Sequence, residues 1–272
     1  MEEIIILNVK KPEEYIGKLW HYGHFIHDFI VPVITYINNT KKYNHIYLLA
    51  NKPWSTLGTF LPMAEKILGL KITEIKSEDA KLLYYPIHTV NTLGFGPYKP
   101  IFFKFINRYI KNTLNITKSF YKIILIERGK TKLKNNIKDT GFNRRHLNNH
   151  NKLKNALAKN FGPIFKNVVL EELTIDEQVS LFINAKIVIG QHGAGLCNII
   201  WMNRPKCLVI EFPPYIVDTF MNMSDVKNYK YIRADPDPKT IVGICSRHMP
   251  QIKKIRNNQL YSTPYLNEES NL

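Results

Sequence analysis

The stretch Ala185-Lys-Ile-Val-Ile-Gly-Gln-His-Gly-Ala-Gly-Leu-Cys-Asn-Ile-Ile-Trp-Met202 is where residue types and spacing most clearly point to chemistry. It predicts a buried strand, a tight turn holding Gly190, Gly193 and Gly195, and then an apolar helix. Glycine permits positive φ and lets backbone come close to a ligand. A helix that starts at such a turn aims its free N–H groups, here those of Gly193, Ala194 and Gly195, and its positive end at the occupant. That is an anion site, and a diphosphate suits it. His192 lies inside the turn, in reach of a phosphate oxygen, and Asn198 sits one helical turn on, able to reach back. Turns of the form Gly-x-x-Gly-x-Gly also serve purely structural roles, so at this point both readings stand. The spacing is not Gly-x-Gly-x-x-Gly, and no Gly-Lys-Ser/Thr follows, which argues against a dinucleotide fingerprint and a P-loop. Downstream, Cys207-Leu-Val-Ile-Glu-Phe-Pro-Pro214 predicts a strand with Glu211 at its carboxyl end. Ligands of parallel sheets bind at such ends, where a carboxylate can accept from two ribose hydroxyls.

Short β-branched runs must position these groups. Strands are expected at 4–9, 45–50, 71–75, 82–85, 122–127, 167–170, 186–190, 208–212 and 229–233. Helices are expected between them at 24–37, 59–68, 101–114, 153–160 and 176–184. The alternation is that of βαβ units and parallel sheets. Runs apolar at every position, such as Ile123–Ile126, fit sheets covered on both faces. A boundary at 114–119 divides the chain into an N-terminal unit (1–117), a C-terminal unit (118–250) and a polar tail (251–272) that packs back on the first unit.

Composition narrows the function classes. The 272 residues are 44% hydrophobic and 22% charged, ordinary for a chain with a real core. No apolar run approaches the roughly 20 residues of a membrane-spanning helix, and the start lacks the features of a signal peptide. A soluble, cytoplasmic protein without a membrane anchor is therefore expected. Cys197, Cys207 and Cys245 share no metal-ligand spacing, so neither a zinc site nor a disulfide framework is indicated. The net charge of +16 asks for an anionic partner. From Lys122 to Lys159, eleven Lys or Arg face only Glu127 and Asp139, in a segment that reads equally as a solvated face.

The run Gly190-Gln-His-Gly-Ala-Gly-Leu-Cys-Asn198, followed by Val209-Ile-Glu-Phe-Pro213, resembles the hallmark of glycosyltransferase family 61. Glu177-Gln178 matches the family's pair on the preceding helix. Arg128 matches its arginine after the first strand of the C-terminal domain, and His24 with Asp28 match its N-terminal His and Asp. Departures are His21, where the family has Asn, and Gly129, where it has a second basic residue. Arg144 and Arg145 stand as substitutes for the latter. The Golgi anchor common in eukaryotic members is not expected here.

The resemblance implies a GT-B fold, two Rossmann-like domains facing each other across a cleft, and an inverting transferase without an obligatory metal. In-line displacement needs a base for the acceptor hydroxyl and positive charge for the departing diphosphate. Asp28 is the first candidate base, oriented by His24 at i, i+4, with the reverse assignment also open. Arg128, with Arg144 and Arg145 on a polar loop, is expected on the diphosphate, since a guanidinium fork matches two phosphate oxygens. The loop 91–98 and Trp20, Tyr22 and Trp54 are candidates for an acceptor groove.

A small, Lys/Asn-rich member, viral or bacterial, is expected to use UDP-xylose first and UDP-N-acetylglucosamine second, on a glycan or glycoprotein hydroxyl. The competing readings are an epimerase of the same architecture, a nucleic-acid-binding protein and a non-catalytic sugar-nucleotide-binding protein. Against nucleic acid, the basic residues follow no RRM, KH or helix-turn-helix pattern.

Overall fold

The computed structural model describes residues 4–10, 19, 21–38, 43–52, 55–83, 85–91, 100, 103, 105–128, 147–214 and 218–249. Within them, β1 (Ile4–Lys10), β2 (His45–Leu49), β3 (Lys71–Ile75) and β4 (Ile87–Asn91) form a parallel sheet in the order β3-β2-β1-β4. A second parallel sheet holds β5 (Ile123–Glu127), β6 (Phe165–Val169), β7 (Ile187–Gln191), β8 (Leu208–Phe212) and β9 (Lys230–Arg233) in the order β6-β5-β7-β8-β9. This is the doubly wound α/β architecture expected, with one sheet on each side of the segment 114–122.

Helices link the strands. In the N-terminal half, α1 (Tyr22–His24) runs through a π-helical stretch, Phe25–Ile30, into α2 (Val31–Asn38). It is followed by α3 (Leu61–Leu68), α4 (Ser77–Leu82) and α5 (Ile106–Thr113). The second sheet is served by α6 (His150–Phe161), α7 (Ile175–Ile183), α8 (Thr219–Val226) and α9 (Pro238–His248). Local chemistry sets their starts. Thr174 and Glu177 close a capping box at α7, and Asp237 accepts from the Thr240 N–H at 2.7 Å to begin α9.

The all-apolar strands divide their side chains by period two. Ile123, Leu125, Ile187, Ile189, Leu208 and Ile210 enter a core against α6 and α9, where Leu153, Leu157, Ile241 and Cys245 meet them. Ile124, Ile126, Val188 and Val209 face the other way, into an apolar cluster continuous with the N-terminal half. The two halves therefore share a core rather than merely touching.

Three expectations are corrected. The strand expected at 82–85 is not found among its described residues: Leu82 ends the helix Ser77–Leu82, and the next strand is Ile87–Asn91. Asp79 in the first turn accepts from the Lys76 N–H at 3.4 Å, which favours helix there. The segment after the glycine turn, Ala194–Trp201, is a 3-10 helix rather than an α-helix. The helix foreseen at 24–37 carries the π-helical stretch, a local irregularity often found at functional sites. The tail from 251 lies outside the described residues.

Candidate active site

In a doubly wound sheet, ligands bind beyond the carboxyl ends of the strands where the strand order reverses. The second sheet reverses between β5 and β7. Arg128 follows β5 and the glycine turn follows β7. Leu125 pairs with Ile189, so Arg128 and His192 follow the carboxyl ends of adjacent strands. The topology thus brings together the two groups expected on a diphosphate. Arg144 and Arg145 lie outside the described residues, as do Trp20, Trp54 and most of the loop 91–98.

The three glycines have different jobs. Gly193 has φ 157° and ψ 177°, a region essentially reserved for glycine. At Gly190 an added Cβ would meet Leu196 Cδ2 at 3.3 Å, and at Gly195 it would meet Ile126 Cγ2 and Leu170 Cδ1 at 3.2 Å. Two of the three therefore exist so that the 3-10 helix can pack hard on β5, not so that a ligand can approach. The turn is anchored by the His192 N–H, which donates to the Phe212 carbonyl at 3.1 Å.

Glu211 is the largest departure from expectation. It is fully buried and lies on the same face of β8 as Val209. One carboxylate oxygen accepts from His192 Nδ1 and the other from the Tyr231 hydroxyl. Arg233 Nε donates to that hydroxyl at 3.1 Å and is itself paired with Asp218. A carboxylate so enclosed is not offered to ribose; it orients the His192 imidazole. Burial and the bond to Glu211 push the Tyr231 pKa up, which keeps the phenol a donor. The sequence held a clue in the single acid within the apolar run Leu208–Phe212, because a buried carboxylate must find donors.

Asn198 is likewise committed internally. Its Oδ1 accepts from Trp201 Nε1 at 2.9 Å and lies 2.9 Å from the Tyr22 hydroxyl, while its Nδ2 donates to the Gly195 carbonyl at 3.1 Å. The Tyr22 hydroxyl also lies 3.3 Å from Gln178 Oε1. Gln178 Nε2 donates to the Leu170 and Leu173 carbonyls, both at 3.1 Å. Of the pair Glu177-Gln178, only the glutamine faces inward. Glu177 caps its own helix, and its hydrogen bonds from Thr174 lower its pKa.

These contacts bring the N-terminal half onto the turn. A Cβ on Gly23 would sit 3.3 Å from Cys197 Sγ and 4.0 Å from Ala194 Cβ, so α1 lies directly against the 3-10 helix. Burial and the nearby Asp28 carboxylate push the Cys197 thiol up, which removes it as a nucleophile. Next to this contact His24 Nδ1 bonds Asp28 Oδ2 at 3.0 Å. The His24 side chain is 14% exposed and that of Asp28 only 2%. Accessibility therefore favours the histidine as the group that meets a substrate, with the aspartate behind it. A cavity of about 260 Å³ opens over the start of the 3-10 helix, lined by Tyr22, Phe60, Met63, Leu173, Gln178 and Gly195.

The family model for glycosyltransferase 61 matches residues 22–209, more than half of the chain. The chain belongs to glycosyltransferase family 61. It is accordingly a glycosyltransferase, an enzyme that moves a sugar from an activated donor to an acceptor. Among solved structures, the glycosyltransferase is similar to the E. coli heptosyltransferase WaaC with ADP. The likeness has 8% identity and a TM-score of 0.44, covering 93% of this chain and 99% of that one. No curated protein matches the chain. Among the described residues of this family 61 member, no helix is long and apolar enough to cross a membrane, and no three His, Cys, Asp or Glu are grouped to hold a metal ion.

Proposed function

We propose that this glycosyltransferase transfers xylose from UDP-xylose, with inversion, to a hydroxyl of a glycan or glycoprotein, and that it needs no metal ion. The observation that carries the reading is the direct seating of the His24–Asp28 pair on the donor turn, through Gly23 on Cys197 and Tyr22 on Asn198. Base and leaving-group site are then neighbours, as a single displacement requires.

In this reading His24 Nε2 takes the proton of the acceptor hydroxyl. The acceptor oxygen attacks the anomeric carbon from the face opposite the diphosphate, and the bond from that carbon to the diphosphate oxygen breaks. Asp28 holds the ring through Nδ1 and stabilises the imidazolium that forms. Arg128, His192 and the N–H groups at the start of the 3-10 helix receive the charge that develops on UDP. Glu211 positions His192. The mostly apolar cavity beside Gln178 suits a flat nucleobase, with the Gln178 amide and the Leu170–Leu173 backbone as its polar edge.

The test is UDP release from UDP-xylose, UDP-N-acetylglucosamine and GDP-mannose over a panel of glycan acceptors, with and without EDTA. Acceptor-dependent turnover of UDP-xylose, insensitive to EDTA and lost in Arg128→Ala, is expected. Turnover of UDP-N-acetylglucosamine alone would transfer the reading to that sugar. Binding of UDP without turnover of any donor would leave a non-catalytic sugar-nucleotide protein.

A further inference from the structure

A second basic centre lies at the opposite edge of the second sheet. Because the sheet is parallel, its strands all begin on one edge, and lysines stand at those beginnings. The Lys186 N–H donates to the Lys122 carbonyl at 2.8 Å, the Leu208 N–H to the Lys186 carbonyl at 2.8 Å, and the Lys230 N–H to the Cys207 carbonyl at 2.9 Å. Lys122 and Lys186 thus precede adjacent strands, about 4.8 Å apart, and Lys230 starts β9, one strand beyond β8. The C-terminal turn of α9 adds Arg247 and His248. Lys230, Arg247 and His248 ring a cavity of about 180 Å³ floored by Leu208, Ile232 and Ile244.

Among the described residues, none of these cations makes an ion pair with a carboxylate. Their hydrogen bonds go to neutral acceptors. Lys186 Nζ donates to the Pro205 carbonyl at 2.5 Å, and His248 Nε2 to the Lys206 carbonyl at 2.8 Å. The cations also feel one another. Burial, then Arg204, Lys186 and Lys118, pulls the Lys122 pKa down; burial, Lys230 and Lys186 do the same to His248. Basic residues near a helix C-terminus are commonplace and account for Arg247 and His248. They do not account for lysines at three strand starts, where there is no such dipole. Crowded, partly desolvated like charges are relieved by an anion, and the Lys230 and Arg247 cations at one small cavity, with the His248 ring beside them, match a multiply charged, tetrahedral group. The strands between this edge and the donor turn span roughly 16 Å at ~3.3 Å per residue, too far for the two to share one phosphate.

We infer that this edge is a second anion site, taking a phosphoryl group borne by a soluble polyphosphate or by a lipid headgroup. Its test is calorimetric titration with pyrophosphate, together with sedimentation on phosphatidylglycerol and on phosphatidylcholine vesicles. Wild type is compared with Lys186→Glu/Lys230→Glu and with the milder Lys230→Gln/Arg247→Gln, which serves if charge reversal prevents folding. UDP binding is read in every variant as the measure of the donor site. The expected result is pyrophosphate binding that weakens at least tenfold in either double variant while UDP binding is unchanged. Sedimentation on phosphatidylglycerol alone, lost in the same variants, assigns the lipid source; pyrophosphate binding without sedimentation assigns the soluble one. Binding of neither probe, binding undiminished in both variants, or binding only of an oligonucleotide overturns the inference.

Discussion

Two histidine–carboxylate pairs at the candidate site, His24–Asp28 and His192–Glu211, are built in opposite ways. His24 and Asp28 are four residues apart on one helical stretch, so the pair exists wherever that stretch is helical. His192 and Glu211 are brought together only because β7 and β8 are neighbours. The first pair keeps its histidine partly open. The second encloses both members, at 7% and 0% side-chain exposure, and braces the carboxylate from behind with Tyr231. A local pair suits a group that must meet a substrate and release a proton. A non-local, buried pair suits one whose orientation must not change, because every partner is fixed by the sheet.

The sharpest way to break this comparison is to remove the histidine of the local pair. His24→Ala is expected to lower kcat about a thousandfold at unchanged fold, measured as acceptor-dependent UDP release. Asp28→Asn should cost less, since the carboxylate acts through the ring. If Asp28→Asn abolishes turnover while His24→Gln retains it, the two roles are reversed.

In the non-local pair the largest effect is on stability. Glu211→Ala strips the acceptor from the buried His192 and the half-buried Tyr231 and should cost about 3 kcal/mol in urea unfolding, with Glu211→Gln milder. An unchanged midpoint would mean that the carboxylate does not brace the turn.

A third measurement uses His27, buried beside the local pair. Burial holds its pKa down to about 4, against 6.5 in the unfolded chain. Between those values the unfolded chain binds a proton that the native state refuses. Stability must therefore fall as pH drops from about 6.5 toward 4, by up to about 3 kcal/mol. Urea midpoints across that range should show the loss, and His27→Asn should flatten it.

The smallest effect concerns the link between the halves. Tyr22→Phe removes the hydroxyl shared with Asn198 and Gln178 and should cost about 1 kcal/mol. With that link loosened, donor KM is expected to rise more than kcat falls. A fall in kcat alone would place Tyr22 in the chemistry itself.

Much of this architecture is legible in the amino-acid sequence. The strand at 187–191, the turn after it and the capping box at 174–177 are local patterns, and local patterns are set by backbone conformation and nearest neighbours. The helical spacing of His24 and Asp28 is of the same kind. What the sequence hides is partnership. Glu211 reads as a ribose ligand because it ends a strand, yet the period-two alternation turns it inward toward His192. Asn198 reads as a donor ligand, yet Tyr22, 176 residues away, meets its amide.

The sequence by itself determined most of the strand positions, the strand and tight turn around the glycines and the resemblance to family 61, since these depend on residues adjacent in the chain. Only the tertiary structure decided which glycines pack and which bends, which carboxylate is enclosed, and that lysines at three strand starts converge on one edge. The reason is physical: strand order and the packing of one half on the other are set by the whole core, and no local window contains them.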